Sequence, residues 1–361
     1  MPVTNQAERR ELRESLRAFL EAAYPSLSTE SRVGAGDKLD DRMWTRLAGE
    51  VALTGLIVPE EYDGQGLGVT EAAVALEESA RVLLAQPFLT SSVLATLAIK
   101  ESGDDTQAAE LLPRLASGEL IAAVALEDAG TAISAEQSAD GWLLSGTKEP
   151  VLDATLAQQF VVSAPVDGAT GLFLVAADGV EVTPRDGLDL TRGLAEVCFD
   201  RSPAIRLGGD ATVLVARLGD VAALAAAAEL TGIADRALVL AVEYAKTREQ
   251  FGKLIGSFQA IKHICAEMLA TVESSRAATA AAAAAADDDP ADLARTASIA
   301  KAWTSTQCVL AAEQLIQVLG GIGYTWEHPA HLLLRRARTL AVLFGDAATH
   351  RERLSGLLGL A

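Results

Sequence analysis

From Glu8 to Ala23 the apolar residues Leu12, Leu16, Phe19 and Leu20 recur at three- and four-residue spacing, which places them on one face of a helix. The pattern predicts a helix that ends at Tyr24-Pro25, because the residue before a proline is pushed out of helical conformation. Asp41 to Val51, Val69 to Leu84, Leu89 to Gly103 and Thr106 to Ala116 read as further helices, with a loop from Pro59 to Gly68. Near Leu120 the texture changes to short β-rich runs between turn residues. Ile121 to Leu126, Trp142 to Gly146, Phe160 to Ala164, Gly171 to Ala176, Gly179 to Pro184 and Ala195 to Asp200 are the predicted strands of a small antiparallel sheet. Long helices return at Ala211. The first runs without proline to Arg248, interrupted only by Gly219 and Gly232. Phe258 to Ala286 follows and ends in an alanine tract and Asp287-Asp288-Asp289-Pro290, read as helix, turn and an acidic cap for the next helix. Asp292 to Leu319 and His331 to Leu343 complete a set of four. The expectation is an α+β chain, mainly α. It has an N-terminal helical domain (1–120), a middle antiparallel β domain (121–208) and a C-terminal four-helix bundle (209–361).

Composition narrows the function. At 361 residues and 50% hydrophobic, the chain is long enough for two or three packed units. A net charge of −19 argues against nucleic acid and anionic membranes as partners. No apolar run follows the N-terminal charges, as a signal peptide would require, and none is long enough to span a bilayer. The longest, Val221 to Ala228, is bracketed by Asp220 and Glu229. A soluble cytoplasmic protein is expected. Cys198, Cys265 and Cys308 are odd in number and far apart, which favours reduced thiols over a disulfide or a metal site. Four histidines without a His-x-x-x-His pair argue against a metal hydrolase.

Three segments carry candidate chemistry. Gly64-Gln65-Gly66-Leu67-Gly68 has neither a preceding strand nor dinucleotide-fingerprint spacing, and reads as a tight turn. Tyr244 to His263 ends a helix in a basic turn, with a bend at Gly252 and Gly256. Arg248 there is compatible with two roles, neutralising the helix C-terminus or binding an anion. Gln317 to Tyr324 places three glycines in four positions, which suits close backbone approach to a ligand and equally a plain C-cap.

Taken in order, Arg248-x-x-Phe251-Gly252, Phe258-Gln259-Ala260-Ile261-Lys262-His263 and Gln317-x-x-Gly320-Gly321-x-Gly323-Tyr324-Thr325 resemble the acyl-CoA dehydrogenase family. Trp44, Gly55-Leu56, Pro59-Glu60-Glu61-Tyr62, Gly66-Leu67-Gly68, Glu77-Glu78, Leu112-Pro113 and Ser117-Gly118-Glu119 extend the resemblance over nearly the whole chain. It implies FAD as cofactor, an acyl-CoA substrate and electron-transfer flavoprotein as acceptor. In the family a carboxylate removes the α-proton while the β-hydride passes to the flavin. The resemblance further implies that Arg248, Phe251, Gln259, Gln317, Gly320 and Gly321 contact the pyrophosphate and adenine end of a flavin held mainly by a neighbouring subunit.

The other half of the family's site is missing. The usual base position, counted from Gln317, falls on Phe344, and the alternative position on the first bundle helix falls on Ala222 or within a residue of it. Neither side chain accepts a proton. The family's Thr-Glu-Pro-x-x-Gly-Ser-Asp loop is only partly matched by Leu126-Glu127-Asp128-Ala129-Gly130-Thr131. Glu149-Pro150-Val151-Leu152-Asp153 stands where a flavin-packing Trp and a hydroxyl are usual. The chain therefore resembles the base-lacking subunit of an α2β2, steroid-type acyl-CoA dehydrogenase. Two alternatives remain: a self-sufficient enzyme, as a homo-oligomer, with Asp346 as base, and a non-enzymatic scaffold on the same fold. Asp346 is also suited to capping a final helix from Ala347 to Leu358.

Overall fold

The computed structural model describes residues 5–24, 33–34, 38–128, 132–139 and 141–360. Helix α1 (Gln6–Ala23) opens on a capping box: the Asn5 side chain accepts from the Ala7 and Glu8 amides, and the Glu8 carboxylate accepts from the Asn5 N–H. Its buried Leu16 and Leu20 join a core shared with Met43, Trp44 and Leu47 of α2 (Asp41–Gly49) and the apolar face of α3 (Val69–Arg81). The stretch predicted as one helix from Leu89 to Gly103 forms in two registers, a π-helix at Phe88–Ala95 and then α4 (Thr96–Glu101). Helix α5 (Asp105–Ala116) closes the unit, and the Trp44 indole donates to the Gly118 carbonyl at 2.9 Å. Between α2 and α3 the glycine-rich loop is a tight turn: a Cβ on Gly64 would lie 2.0 Å from the Val58 carbonyl oxygen.

The middle unit holds β1 (Ala122–Ala125), β2 (Ser134–Ser138), β3 (Gly141–Leu152), β4 (Gln159–Val166), β5 (Ala169–Ala176), β6 (Glu181–Arg185) and β7 (Leu194–Leu207). They form one sheet in the order β1-β4-β5-β7-β3-β2, with β6 also on β7. The sheet is mixed, which corrects the antiparallel expectation: β1 pairs β4 in parallel, Ala122 opposite Gln159. The hairpin of β2 and β3 intervenes between the two strands and supplies the long crossover that parallel neighbours need. Strand β2, Ser-Ala-Glu-Gln-Ser, escaped prediction because it is polar and largely exposed.

The C-terminal unit is α6 (Thr212–Thr247), α7 (Gln259–Asp288), α8 (Leu293–Leu319) and α9 (Ala330–Val342), with a short α10 (Ala347–Leu357). Alanine dominates the buried face of α6, and small side chains let its neighbours approach closely. At Gly232 a Cβ would meet the Glu77 carbonyl oxygen at 2.0 Å, so this interruption of α6 is where α3 crosses it. The acidic run at the end of α7 has a different task from the one predicted. Asp287 accepts from the Val69 and Thr70 amides at 2.9 and 2.8 Å and caps α3, whereas α8 has no side-chain cap bond. Buried carboxylates on α3 bind the units together. Glu78 pairs with Arg13 and Arg17 of α1, and Glu77 with Arg13 and with Arg276 of α7. Removing one partner from such a buried pair costs about 3–5 kcal/mol. Among the described residues no helix is long and apolar enough to cross a membrane. Cys198, Cys265 and Cys308 are free thiols, only Cys308 of them buried.

Candidate functional site: a cavity and a bundle end

A cavity of about 390 Å³ lies where the three units meet. Thr90 and Leu94 of the π-helix, Val124 and Leu126 around the end of β1, and Pro150 and Leu152 of β3 line one side. Val215, Ala216, Gly219 and Asp220 of α6 line another, and Leu343 to Gly345 with Thr349, His350 and Arg353 close it. Gly219 helps to make the space: a Cβ there would meet nothing within 4 Å.

Phe344 borders this cavity and stands in left-handed backbone conformation, φ 59°. Such a conformation costs a non-glycine residue on the order of 1–3 kcal/mol and persists only where surrounding bonds impose it. Here His350 Nε2 lies 2.9 Å from the Phe344 carbonyl oxygen, and the buried Lys301 ammonium donates to the Gly345 carbonyl at 2.7 Å and the Ala341 carbonyl at 3.1 Å. Burial pushes Lys301 down to about 8. The second expected base position, Ala222, is fully buried in the core and does not border the cavity; Gly219 and Asp220, less than one turn earlier on α6, do. Asp346 caps α10, accepting from the Thr349 amide and hydroxyl, both at 2.8 Å. Those bonds hold its carboxyl below the usual range, it is exposed, and it does not line the cavity. A carboxylate so placed is a poor base for a proton inside the cavity.

The cavity wall offers little to a flavin ring. Among the described residues its only ring side chains besides proline are Phe344 and the His350 imidazole, which is tied to the Phe344 carbonyl and Ser298, and Pro150 has no N–H to donate. The Thr90 hydroxyl is committed to buried Asp153 at 2.7 Å. Beside Glu127, the buried Lys148 ammonium donates to the Asp128 carboxylate, the Leu126 carbonyl and the Ser163 hydroxyl, at 2.6, 3.1 and 3.2 Å. That clasp ties together the strand ends on which the family's flavin-contacting loop is expected. Ala129, Gly130 and Thr131 of that loop lie outside the described residues.

The end of the bundle is built differently. Helices α6 and α8 finish in one apolar cluster with Ala245, Ile255, Ile316 and Leu319, which brings both motif segments to the same end. Arg248 is exposed, and its guanidinium has no hydrogen-bond or ion-pair partner among the described residues. A two-residue hairpin turn joins β8 (Glu249–Gln250) to β9 (Lys253–Leu254). Both turn residues have positive φ, Phe251 at 53° and Gly252 at 75°, and Phe251 is 90% exposed. Gln259 starts α7 and bonds His263 across one turn at 3.0 Å. Gln317 is exposed on the last turn of α8. Gly320 needs its φ of 64° to end the helix, but Gly321 has no such need, and a Cβ on it would meet nothing within 4 Å. The smallness of Gly321 answers nothing inside this chain. These groups are chemically suited to an anionic group such as a pyrophosphate: a guanidinium without a partner among the described residues, and bare backbone beside it.

One feature of the cavity escaped the sequence reading. Arg353 and Asp220, 133 residues apart, form an ion pair on its wall. Its trace was the two acids bracketing the longest apolar run. Both are buried and both are paired, Asp220 with Arg353 and Glu229 with Arg192 at 3.0 and 2.9 Å.

Comparison with known proteins agrees with this architecture. The family model described as "Acyl-CoA dehydrogenase, N-terminal domain" matches residues 6–119, and that described as "Acyl-CoA dehydrogenase, C-terminal domain" matches 214–356. The acyl-CoA dehydrogenase FadE34 of Mycobacterium tuberculosis is 40% identical over 314 residues, 86% of this chain but only 41% of that protein, so the chain spans less than half of this relative's length. The acyl-CoA dehydrogenase IpdE2 of Mycolicibacterium smegmatis is 31% identical over 96% of this chain and 97% of its own. Among solved structures, a steroid ACAD variant, Tcur3481-Tcur3483, matches with a TM-score of 0.86 and 32% identity, over 98% of each chain. With both terminal domains matched and a relative aligned end to end, the chain belongs to the acyl-CoA dehydrogenase family.

Proposed function

We propose that this chain is the base-lacking subunit of an FAD-dependent acyl-CoA dehydrogenase, working in an α2β2 assembly with a homologous subunit that carries the base. One observation carries the reading. The base positions hold Phe344 and Ala222, and of the two carboxylates that border the cavity Asp220 is tied to Arg353 and Glu127 stands at neither base position, while Arg248, Phe251 and Gln317 stand exposed at the bundle end. FAD, when bound, supplies hydride acceptance at the β-carbon of an acyl-CoA thioester. Arg248 meets the pyrophosphate as a forked cation, Gln317, Gly320 and Gly321 border it with side-chain amide and bare backbone, and Phe251 and Gln259 flank the adenine end. The partner contributes the carboxylate that takes the α-proton and most of the acyl pocket. The likeness to a steroid ACAD named for two components favours a steroid side-chain thioester and a two-gene enzyme. Electron-transfer flavoprotein is the proposed acceptor.

Co-expression with the neighbouring dehydrogenase gene tests this. The pair is expected to purify together, yellow and able to oxidise an acyl-CoA, while this chain alone is colourless and inactive. Full flavin occupancy and a normal rate from the isolated chain would overturn it.

A further inference from the structure

The proposed function leaves this chain's own cavity without a task, yet the side chains around it do not close it. Protein interiors pack to crystal-like density, with few voids larger than a water molecule. A space of about 390 Å³ between three packed units is of ligand-site size. Its wall is mostly apolar, with Leu94, Leu126, Leu152, Val215 and Phe344 prominent. Set into that wall is the ion pair of Asp220, 6% exposed, with Arg353. Arg353 Nη1 is bonded to Asp220 Oδ1, and no other hydrogen-bond partner stands against the remaining guanidinium N–H groups or Asp220 Oδ2 among the described residues. The pair therefore offers a donor and an acceptor side by side, with its net charge already cancelled.

We infer that the cavity is a binding site, separate from flavin chemistry, for an apolar body bearing a hydroxyl group. A hydroxyl donates to Asp220 and accepts from Arg353 with one oxygen, so it engages both partners of the pair at once. A ketone answers only the arginine. A carboxylate answers the arginine but faces the buried Asp220 charge, with Glu127 also bordering the cavity. The apolar lining takes the hydrocarbon by area burial. This is a different site from the one proposed to contact the partner's FAD, and it stands or falls without reference to flavin content.

The test is calorimetric titration of the purified full-length chain with decan-1-ol and, separately, decanoate. Saturable one-to-one binding of decan-1-ol is expected, with decanoate about tenfold weaker, the size of one charge-assisted hydrogen bond. The neutral double variant Asp220→Asn with Arg353→Leu is expected to bind both probes with equal affinity. Leu94→Trp, which fills the cavity from a different unit, is expected to abolish binding of both, with the circular dichroism of the chain unchanged. Absence of saturable decan-1-ol binding, a preference for decanoate, or binding that survives Leu94→Trp in a folded chain overturns the inference. If the double variant does not fold, the wild-type preference and the Leu94→Trp result decide it.

Discussion

The cavity and the bundle end are two halves of one inherited design, and they differ in what their residues are committed to. On and around the cavity wall buried polar groups are tied to partners inside the chain: Thr90 with Asp153, Asp220 with Arg353, and behind the wall Lys148 with Asp128 and Lys301 with the carbonyls of Ala341 and Gly345. At the bundle end Gln259 bonds only within its own helix, at His263, the Arg248 guanidinium has no partner among the described residues, and Phe251, touched edge-on by Phe258, is 90% exposed at the tip of its hairpin. Internal satisfaction is what a folded chain produces for itself. Polar and aromatic groups held out unsatisfied, beside a glycine with open space around it, point outward to a second molecule.

The contrast can be broken most directly at Arg248. In the co-purified assembly, Arg248→Ala is expected to weaken FAD binding about 30-fold or more, as removal of charge-assisted bonds to a pyrophosphate should. Flavin absorbance after gel filtration reads it, and unchanged occupancy would place the cofactor elsewhere. The cavity side should instead respond to pH through Lys301. Its folded value, about 8, lies below its ordinary 10.5, so between those values the unfolded chain binds more protons and stability rises with pH. Chemical denaturation should show wild type gaining on the Lys301→Met variant by about 2 kcal/mol across that window, with no gain on going further below pH 8. A flat difference would mean that Lys301 is not held as the geometry implies.

Gly321→Val sharpens the comparison from the other side. Because a Cβ there meets nothing in the chain, the melting temperature of the isolated subunit should move by no more than the equivalent of about 0.5 kcal/mol. Flavin affinity of the assembly should fall about tenfold; a large loss of subunit stability with no change in flavin would reverse the assignment. The smallest effect is expected at Asp346. Asparagine caps a helix about as well as aspartate, so Asp346→Asn should leave both stability and turnover of the assembly near wild type. A collapse of turnover would make Asp346 the base after all.

Much of the fold was legible in the chain because its long helices obey local rules. The starts and ends of α6 to α10 fell within two residues of the predicted positions, since proline-free apolar periodicity and glycine stops act over a few residues. The polar strand β2 carried no such signal, and the parallel β1–β4 pair is set by a crossover that no local pattern encodes. The chemistry available at the two expected base positions was equally legible, because Phe344 and Ala222 cannot ionise wherever they lie.

What the sequence could not decide was which residues meet. Asp220 and Glu229 stood out as acids flanking an apolar run, but that they are buried and answered by Arg353 and Arg192 depends on helix packing and loop placement. Asp287 looked like a cap for the helix that follows it and instead caps one that starts 218 residues earlier. Residue types and local periodicity are properties of the chain and fix elements and chemistry. Partners for buried charge are chosen by the packing of distant segments, where an unpaired ion is too costly to leave alone, and only the tertiary structure makes that choice.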